Sequence, residues 1–365
     1  MPASSRLHPL ALGALLLATL APATRAGEAF AAASRSPVLG TEAVLERIAF
    51  GSCLHQGRDQ AILGELLADE PDLALFIGDN VYGDSEEPAL TELREAYALQ
   101  ARSGPLNRIR GTTPVLATWD DHDYGLNDAG ADYPYRAEAR RLFMDFWRLA
   151  PEDLASTEGV YRARVVGPPG RRVQIVLLDT RSFRSPLRPT DAPGEPGRER
   201  YLPDPDPAAT LLGEAQWTWL AKQLAEPAEL RLIVSSIQVI ADGHGWEAWR
   251  TLPAERERLY DLLREAGAGG IVLLSGDRHR AGIYRHDEAL GYPLFEITSS
   301  SLNLPLEGVG EEAGPFRLGG TFPGANYGRV DLDWDAGLIT LQVLDGGGRT
   351  VRAAAVPLAA LQPDA

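Results

Sequence analysis

Cysteine and lysine each occur once in 365 residues, as Cys53 and Lys222, so arginine supplies nearly all of the 35 basic side chains. A single cysteine excludes an internal disulfide, and a small cross-linked scaffold with it. Positive charge is in deficit: 51 acidic residues give a formal net charge of −16, which argues against a nucleic-acid partner held through phosphate contacts. Beyond the N-terminus there is no apolar run of membrane-spanning length. Also missing are an internal repeat, a P-loop and a dinucleotide-type glycine fingerprint, which removes the common nucleotide-binding architectures. What remains is ordinary globular composition, 44% apolar and 24% charged, on a chain long enough for one large α/β domain or two small ones.

At the N-terminus Arg6 precedes an apolar run from Leu10 to Leu20 and the small-residue stretch Ala21-Pro22-Ala23-Thr24-Arg25-Ala26. That order predicts a Sec-type signal peptide over residues 1–26, without a twin-arginine pair, and a periplasmic or secreted location. Residues 27–43 are small and without period, and read as a linker; residues 44–360 read as a single domain. In an oxidising compartment an exposed lone thiol is a liability, which leaves Cys53 as a buried inert thiol or as a ligand.

From Leu45 onward short apolar runs alternate with helical patterns. Strands are expected at Arg47–Gly51, Leu73–Ile77, Pro114–Thr118, Val160–Val166, Arg172–Leu178, Leu230–Ser235 and Ile271–Leu274. Helices are expected near Ala61–Ala68, Pro88–Gln100, Arg136–Leu149, Glu214–Leu224 and Glu255–Glu265. A Pro- and Arg-rich excursion at 184–209 reads as a surface loop near the site. The last third shifts to strands, at Leu294–Thr298, Tyr327–Asp333, Leu338–Val343 and Val351–Val356. Alternating βαβ units with an antiparallel finish predict an α/β class, a sheet sandwich flanked by helices.

The densest chemistry is Trp119-Asp120-Asp121-His122-Asp123-Tyr124-Gly125-Leu126-Asn127-Asp128. Four carboxyls that close repel one another unless a cation sits among them, so the stretch is either one wall of a metal site or a solvated acidic turn. Similar residues recur at other strand ends: Cys53, then Asp79 and Tyr82, then Asp179 and Arg181, then Asp277 and His279. Open α/β sheets gather function at the carboxyl ends of their strands. Thiolate, phenolate and imidazole together favour a transition metal, whereas carboxylates and carbonyls suit a harder ion such as Ca²⁺, Mg²⁺ or Mn²⁺.

Four ordered segments carry a resemblance: Gly51-Ser52-Cys53, Gly78-Asp79-x-x-Tyr82, Trp119-Asp120-Asp121-His122-Asp123 and Gly276-Asp277-Arg278-His279. They are similar to the motif series of the PhoD-like alkaline phosphatases and phosphodiesterases, in the metallophosphoesterase superfamily. Ser235-Ser236-Ile237-Gln238 and Thr298-Ser299-Ser300 fit the same family, so the resemblance covers about residues 46–300. It implies a four-layer αββα sandwich with mixed sheets and an antiparallel C-terminal β portion. It further implies a dinuclear centre, Fe³⁺ with Ca²⁺, or with Mn²⁺, Mg²⁺ or Zn²⁺, and a hydroxide between the metals as nucleophile on a phosphate mono- or diester. Carried over by position, Asp79 would bridge the ions, with Cys53, Tyr82 and His279 completing the iron site. Asp121 and Asp277 would hold the second ion, with Asn127 a further candidate. His122 would protonate the leaving oxygen and Arg181 would grip a phosphate oxygen.

The remaining residues leave alternatives open. Asp120 either fixes a neighbour or binds metal, Asp123 and Asp128 read as support, and Asp179 orients Arg181 or touches substrate. Asn80, His244 and Trp246 are candidate substrate contacts. Trp246 and Trp249 would offer a cation–π surface to a quaternary ammonium, which keeps a phospholipase D-like alternative open. A non-catalytic metal- or phosphate-binding module is the competitor from another class.

Overall fold

Alternation along the first three strands sets the layers. The computed structural model describes residues 30–306, 312 and 314–363; the expected export segment, residues 1–26, lies outside them. Strands β1 (Arg47–Gly51), β2 (Leu73–Ile77) and β3 (Val115–Thr118) run parallel, side by side. Successive strand residues point to opposite faces. Ile48, Phe50, Leu73, Leu75, Ile77 and Leu116 enter one core, while Ala49, Ala74, Phe76 and Ala117 enter another.

The alanine-rich face lets helices approach closely. Helices α1 (Ile62–Ala68), α2 (Thr91–Gln100), α3 (Gly104–Thr112), the single turn α4 (Asp121–Tyr124) and α5 (Arg136–Trp147) cover it. They deliver Leu63, Leu93, Tyr97, Ile109, Phe143 and Phe146 to that core. Each such side chain stabilises the fold by about 1.5–3 kcal/mol on burial.

The other face of the sheet meets a second sheet. It is built from β4 (Arg162–Val166), β5 (Val173–Leu177), β8 (Leu230–Val234), β9 (Ile271–Ser275), β10 (Ala281–His286) and β11 (Leu294–Ser299), and a separate hairpin of two-residue strands, β6 (Arg188–Pro189) with β7 (Tyr201–Leu202), falls between β5 and β8. Its order is β10-β11-β9-β8-β5-β4. Strands β5, with sequence VQIVL, and β9, with sequence IVLLS, are buried throughout, as central strands covered on both faces should be. Helices α6 (Gly213–Leu224) and α7 (Pro253–Glu265) supply Trp217, Leu220, Leu259 and Leu263 to the same core as this sheet. Strands β12 (Asn326–Asp333), β13 (Leu338–Asp345) and β14 (Thr350–Pro357) form an antiparallel extension of the first sheet, ordered β14-β13-β12-β1-β2-β3. Helix, sheet, sheet, helix is the expected four-layer order.

Four local expectations change. Helix α2 starts at Thr91, later than the pattern suggested, because Leu90 is in the left-handed region at φ 48°. Helix α3 was not anticipated; Ser103 caps it, its Oγ accepting from Leu106 N at 3.2 Å, with a proline in the first turn. Leu294–Ser299, expected within the antiparallel finish, inserts between β9 and β10 and runs parallel to β9. The described part of the stretch read as a linker is packed down: Phe30 is buried, 5.7 Å from the Phe146 ring, and Ser36 Oγ accepts from Val115 N at 2.8 Å.

Candidate metal centre and active site

The two sheets meet where their parallel strands end. Ser52, just past β1, bridges Ser300, just past β11, and its N–H donates to Ser299 O at 3.2 Å. The next residue in each motif is forced into the left-handed region: Cys53 at φ 59°, Asp79 at 50°, Asp277 at 67° and His279 at 53°. Such conformations are held at non-glycine residues only where surroundings enforce them, and they cluster at functional sites. The glycines before the acids are sterically required. A Cβ on Gly78, itself at φ 123°, would sit 2.7 Å from Asp120 Cβ, and one on Gly276 would collide with the Ser52 side chain.

These turns bring the donors together. Tyr82 OH donates to Asp79 Oδ2 at 3.1 Å and lies 3.3 Å from His279 Nε2; Cys53 Sγ lies 3.4 Å from the same Asp79 oxygen. Cys53, Asp79 and His279 place one ligand atom each within 4.8 Å of one another. So do Asp79, Asp120, Asp121 and Asp277, and so do Asp79, Asp121 and His122. Asp79 belongs to all three groups. The sequence-derived ligands Cys53, Asp79, Tyr82, Asp121, Asp277 and His279 therefore converge on one cleft of about 240 Å³, where Asp79, Asp121, His122, Asn127, Asp277 and His279 form part of the wall.

Electrostatics give a test of whether cations fit. Burial, reinforced by the Asp121 charge, raises the Asp79 carboxyl well above its usual range, and burial with Asp120 does the same to Asp277. Burial pushes the Cys53 thiol up to about 11 and raises the Tyr82 phenol. Burial also drives His279 down to about 4, leaving a neutral imidazole of the kind that ligates. Acid-rich, desolvated and short of cations, this donor set suits divalent or trivalent ions, whose charge would reverse these shifts.

His122 stands at the edge of the cluster. Burial opposes its protonation, but Asp121, Asp79 and Asp84 outweigh burial and raise it to about 11. Its Nδ1 lies 2.5 Å from Asp84 Oδ1, and its ring packs 4.3 Å from that of Tyr82. Asp84 also accepts from Asn127 N at 3.2 Å, so the exposed Asn127 is tied to the same carboxylate. At Asp121 burial is overcome by His122 and Arg181, which keep the carboxyl ionised.

Other expected residues lie elsewhere. Arg181 is fully buried beneath the cleft: Nε donates to Asp120 Oδ1 at 2.5 Å and Nη1 to Glu247 Oε2 at 2.7 Å. A guanidinium with no exposed surface, paired with Asp120 and Glu247, has no face to offer a substrate oxygen in this position. Asp179 organises the turn, accepting from the backbone N–H groups of Arg181 and Ser182 and from Val160. His244 is buried, its Nε2 3.0 Å from Gln238 Oε1 and its Nδ1 accepting from Trp246 N, so it packs the loop. Asn80 is also buried, donating to Thr118 O and Asp123.

Trp246 does line the cleft, but the guanidinium carbons of Arg200 and Arg278 lie 5.7 and 5.2 Å from its ring. Trp249 is buried and donates to Ser235 Oγ at 2.9 Å. Neither indole forms the open surface for a quaternary ammonium that the phospholipase alternative required. Sequence reasoning missed Asp84, Ser300 as a support for Cys53 and His279, and Glu247. Asp84 lies two residues past Tyr82, and Glu247 is an acid between two tryptophans, which is the only signal either gives.

A helix–sheet–sheet–helix sandwich with this donor cluster at its strand ends is a metallophosphoesterase fold. The profile of the PhoD-like phosphatases matches residues 48–314, and the chain belongs to that family. It is 24% identical over 282 residues to alkaline phosphatase D of Bacillus subtilis (strain 168), a match covering 67% of this chain and 47% of the relative. The chain thus spans about half the length of that curated relative. Among solved structures, that of PhoD superposes with a TM-score of 0.65 at 19% identity, covering 88% of this chain and 70% of the other. The purple acid phosphatase PPD1 from yellow lupin (Lupinus luteus) gives 0.57 at 11% identity, covering 88% and 55%.

Proposed function

We propose that the chain is an exported, metal-dependent phosphoric ester hydrolase acting on a phosphate mono- or diester. The observation that carries this is the position of Asp79, shared between a Cys53/His279 group with Tyr82 beside it and an all-carboxylate group with Asp121 and Asp277. The first set suits a ferric ion and the second, with Asn127 at its margin, suits Ca²⁺ or another hard divalent ion. Bound there, such ions supply charge neutralisation of the phosphoryl group and activation of water.

The chain's own residues do the rest. His122 lines the cleft beside Asp84, whose carboxylate favours a protonated ring, and in this reading it gives its proton to the leaving oxygen. Asp84 fixes the imidazole through Nδ1, which leaves Nε2 to make that transfer. Arg181 acts from beneath, countering the charge of Asp120 and Asp121 so that the acids can stay gathered when the site is empty. A mere binding module has no use for a tethered acid of this kind.

Purified protein assayed on p-nitrophenyl phosphate, bis-p-nitrophenyl phosphate and phosphatidylcholine with added Ca²⁺ tests the reading. Hydrolysis of either nitrophenyl ester supports it. Turnover of phosphatidylcholine alone would transfer the chain to the phospholipase alternative.

A further inference from the structure

At the opposite end of β3 from Asp121 lies a hollow of about 380 Å³, walled by Arg35, Ser36, Arg110, Val115, Trp147 and Arg148. It shares no lining residue with the metal cleft. The chain is strongly acidic overall, yet among the described residues no carboxylate lines this hollow.

Two of its donors are unsatisfied. Arg110 is 2% exposed, and while Nη2 donates to Phe146 O at 2.9 Å, Nη1 has no acceptor. Trp147 is 9% exposed and its Nε1–H has none either. The guanidinium carbon of Arg110 lies 4.9 Å from the Phe146 ring and 5.1 Å from the Trp147 ring. Ring contacts account for the position of the guanidinium, but they do not accept from N–H groups, and a buried donor without an acceptor keeps its full desolvation cost. Burial and the neighbouring charge of Arg148 together lower Arg110 to about 10. Arg35 and Arg148 are exposed at the mouth, so further positive charge faces the same space.

An anion in the hollow separates the like charges of Arg35, Arg110 and Arg148, and a small shift of the Arg110 and Trp147 side chains lets it accept from their unpaired N–H groups. Arg110 and Arg148 each spend one donor on a backbone carbonyl, yet three guanidiniums around one space still favour a doubly charged group over a carboxylate, and a tetrahedral group also offers more oxygens. We propose that this hollow binds a tetrahedral oxyanion group of the phosphate or sulfate type, at a site separate from the metal cleft. The group arrives as a free ion or on a polyanion.

Inorganic sulfate is the probe, because it is not turned over. In the full chain, ¹⁵N-labelled at tryptophan, the Trp147 indole resonance is identified by its loss in Trp147→Phe. Sulfate is expected to shift it saturably, and Arg35→Gln/Arg148→Gln to weaken that response about tenfold with ester hydrolysis and the Trp246 resonance unchanged. Tighter binding of dextran sulfate than of sulfate, lost in the same variant, would place the group on a polymer; equal affinity per sulfate would make the free ion the ligand. No saturable shift, an equal response to acetate, or full binding by the double variant would overturn the proposal.

Discussion

Arg181 Nη1 donates to Glu247 Oε2 at 2.7 Å, and both side chains are closed off from solvent beneath the cleft. Glu247 pairs with Arg184 as well, at 2.9 Å, so one carboxylate serves two guanidiniums. Removing one partner of a buried charge pair strands the other, at about 3–5 kcal/mol. Glu247→Gln is therefore expected to lower the unfolding free energy by about that amount in a denaturant titration. A variant with unchanged stability and a raised KM would return Arg181 to the substrate.

His122→Ala should retain the metals and lose about 10²–10⁴ in turnover. The loss should depend on the leaving group: smaller for p-nitrophenol, which departs readily as an anion, and larger for an alkyl alcohol, which needs the proton. Equal losses on both substrates would remove the general-acid role.

Asp84→Asn keeps the shape of the partner of His122 but removes its charge. It should lower turnover on alkyl esters less than His122→Ala does, with metal content unchanged by elemental analysis. Activity equal to the parent chain would show that the 2.5 Å contact with His122 Nδ1 has no catalytic consequence.

Gly78→Ala meets two penalties, a left-handed φ of 123° and a contact of 2.7 Å with Asp120 Cβ. Loss of at least about 1–3 kcal/mol in stability is expected, together with reduced metal content, because the same turn aims Asp79. A fully stable, fully metallated variant would contradict the steric account of the Gly78-Asp79 turn.

Much of the candidate site was legible because its proposed ligands follow one another in order along the chain. Cys53, Asp79, Tyr82, Asp121, Asp277 and His279 each follow an apolar strand, and strand ends gather at one sheet edge. Periodicity likewise revealed β1, β2 and β9, since buried parallel strands are apolar runs. Arg181 was misread for a physical reason: next to Asp179 at a strand end it has the address of a phosphate-binding arginine. Only tertiary structure shows that Asp120 and Glu247, 61 and 66 residues away, enclose it. His244 failed in the same way, since a glycine-flanked histidine after a strand does not reveal that Gln238 fills its reach. Helix α3 escaped because its glycine and proline, which punctuate loops, here sit in the first turn behind the Ser103 cap.

The central claim is that the acids and Cys53 hold two metal ions that hydrolysis requires. Elemental analysis of the purified full chain, paired with hydrolysis of bis-p-nitrophenyl phosphate before and after chelation, addresses it most directly. The account predicts two bound metals per chain, one of them iron, activity lost with the metals and restored with them, and neither metal nor activity in Asp79→Asn. Protein that carries both metals and hydrolyses no phosphate ester, or that hydrolyses equally well without them, would contradict it.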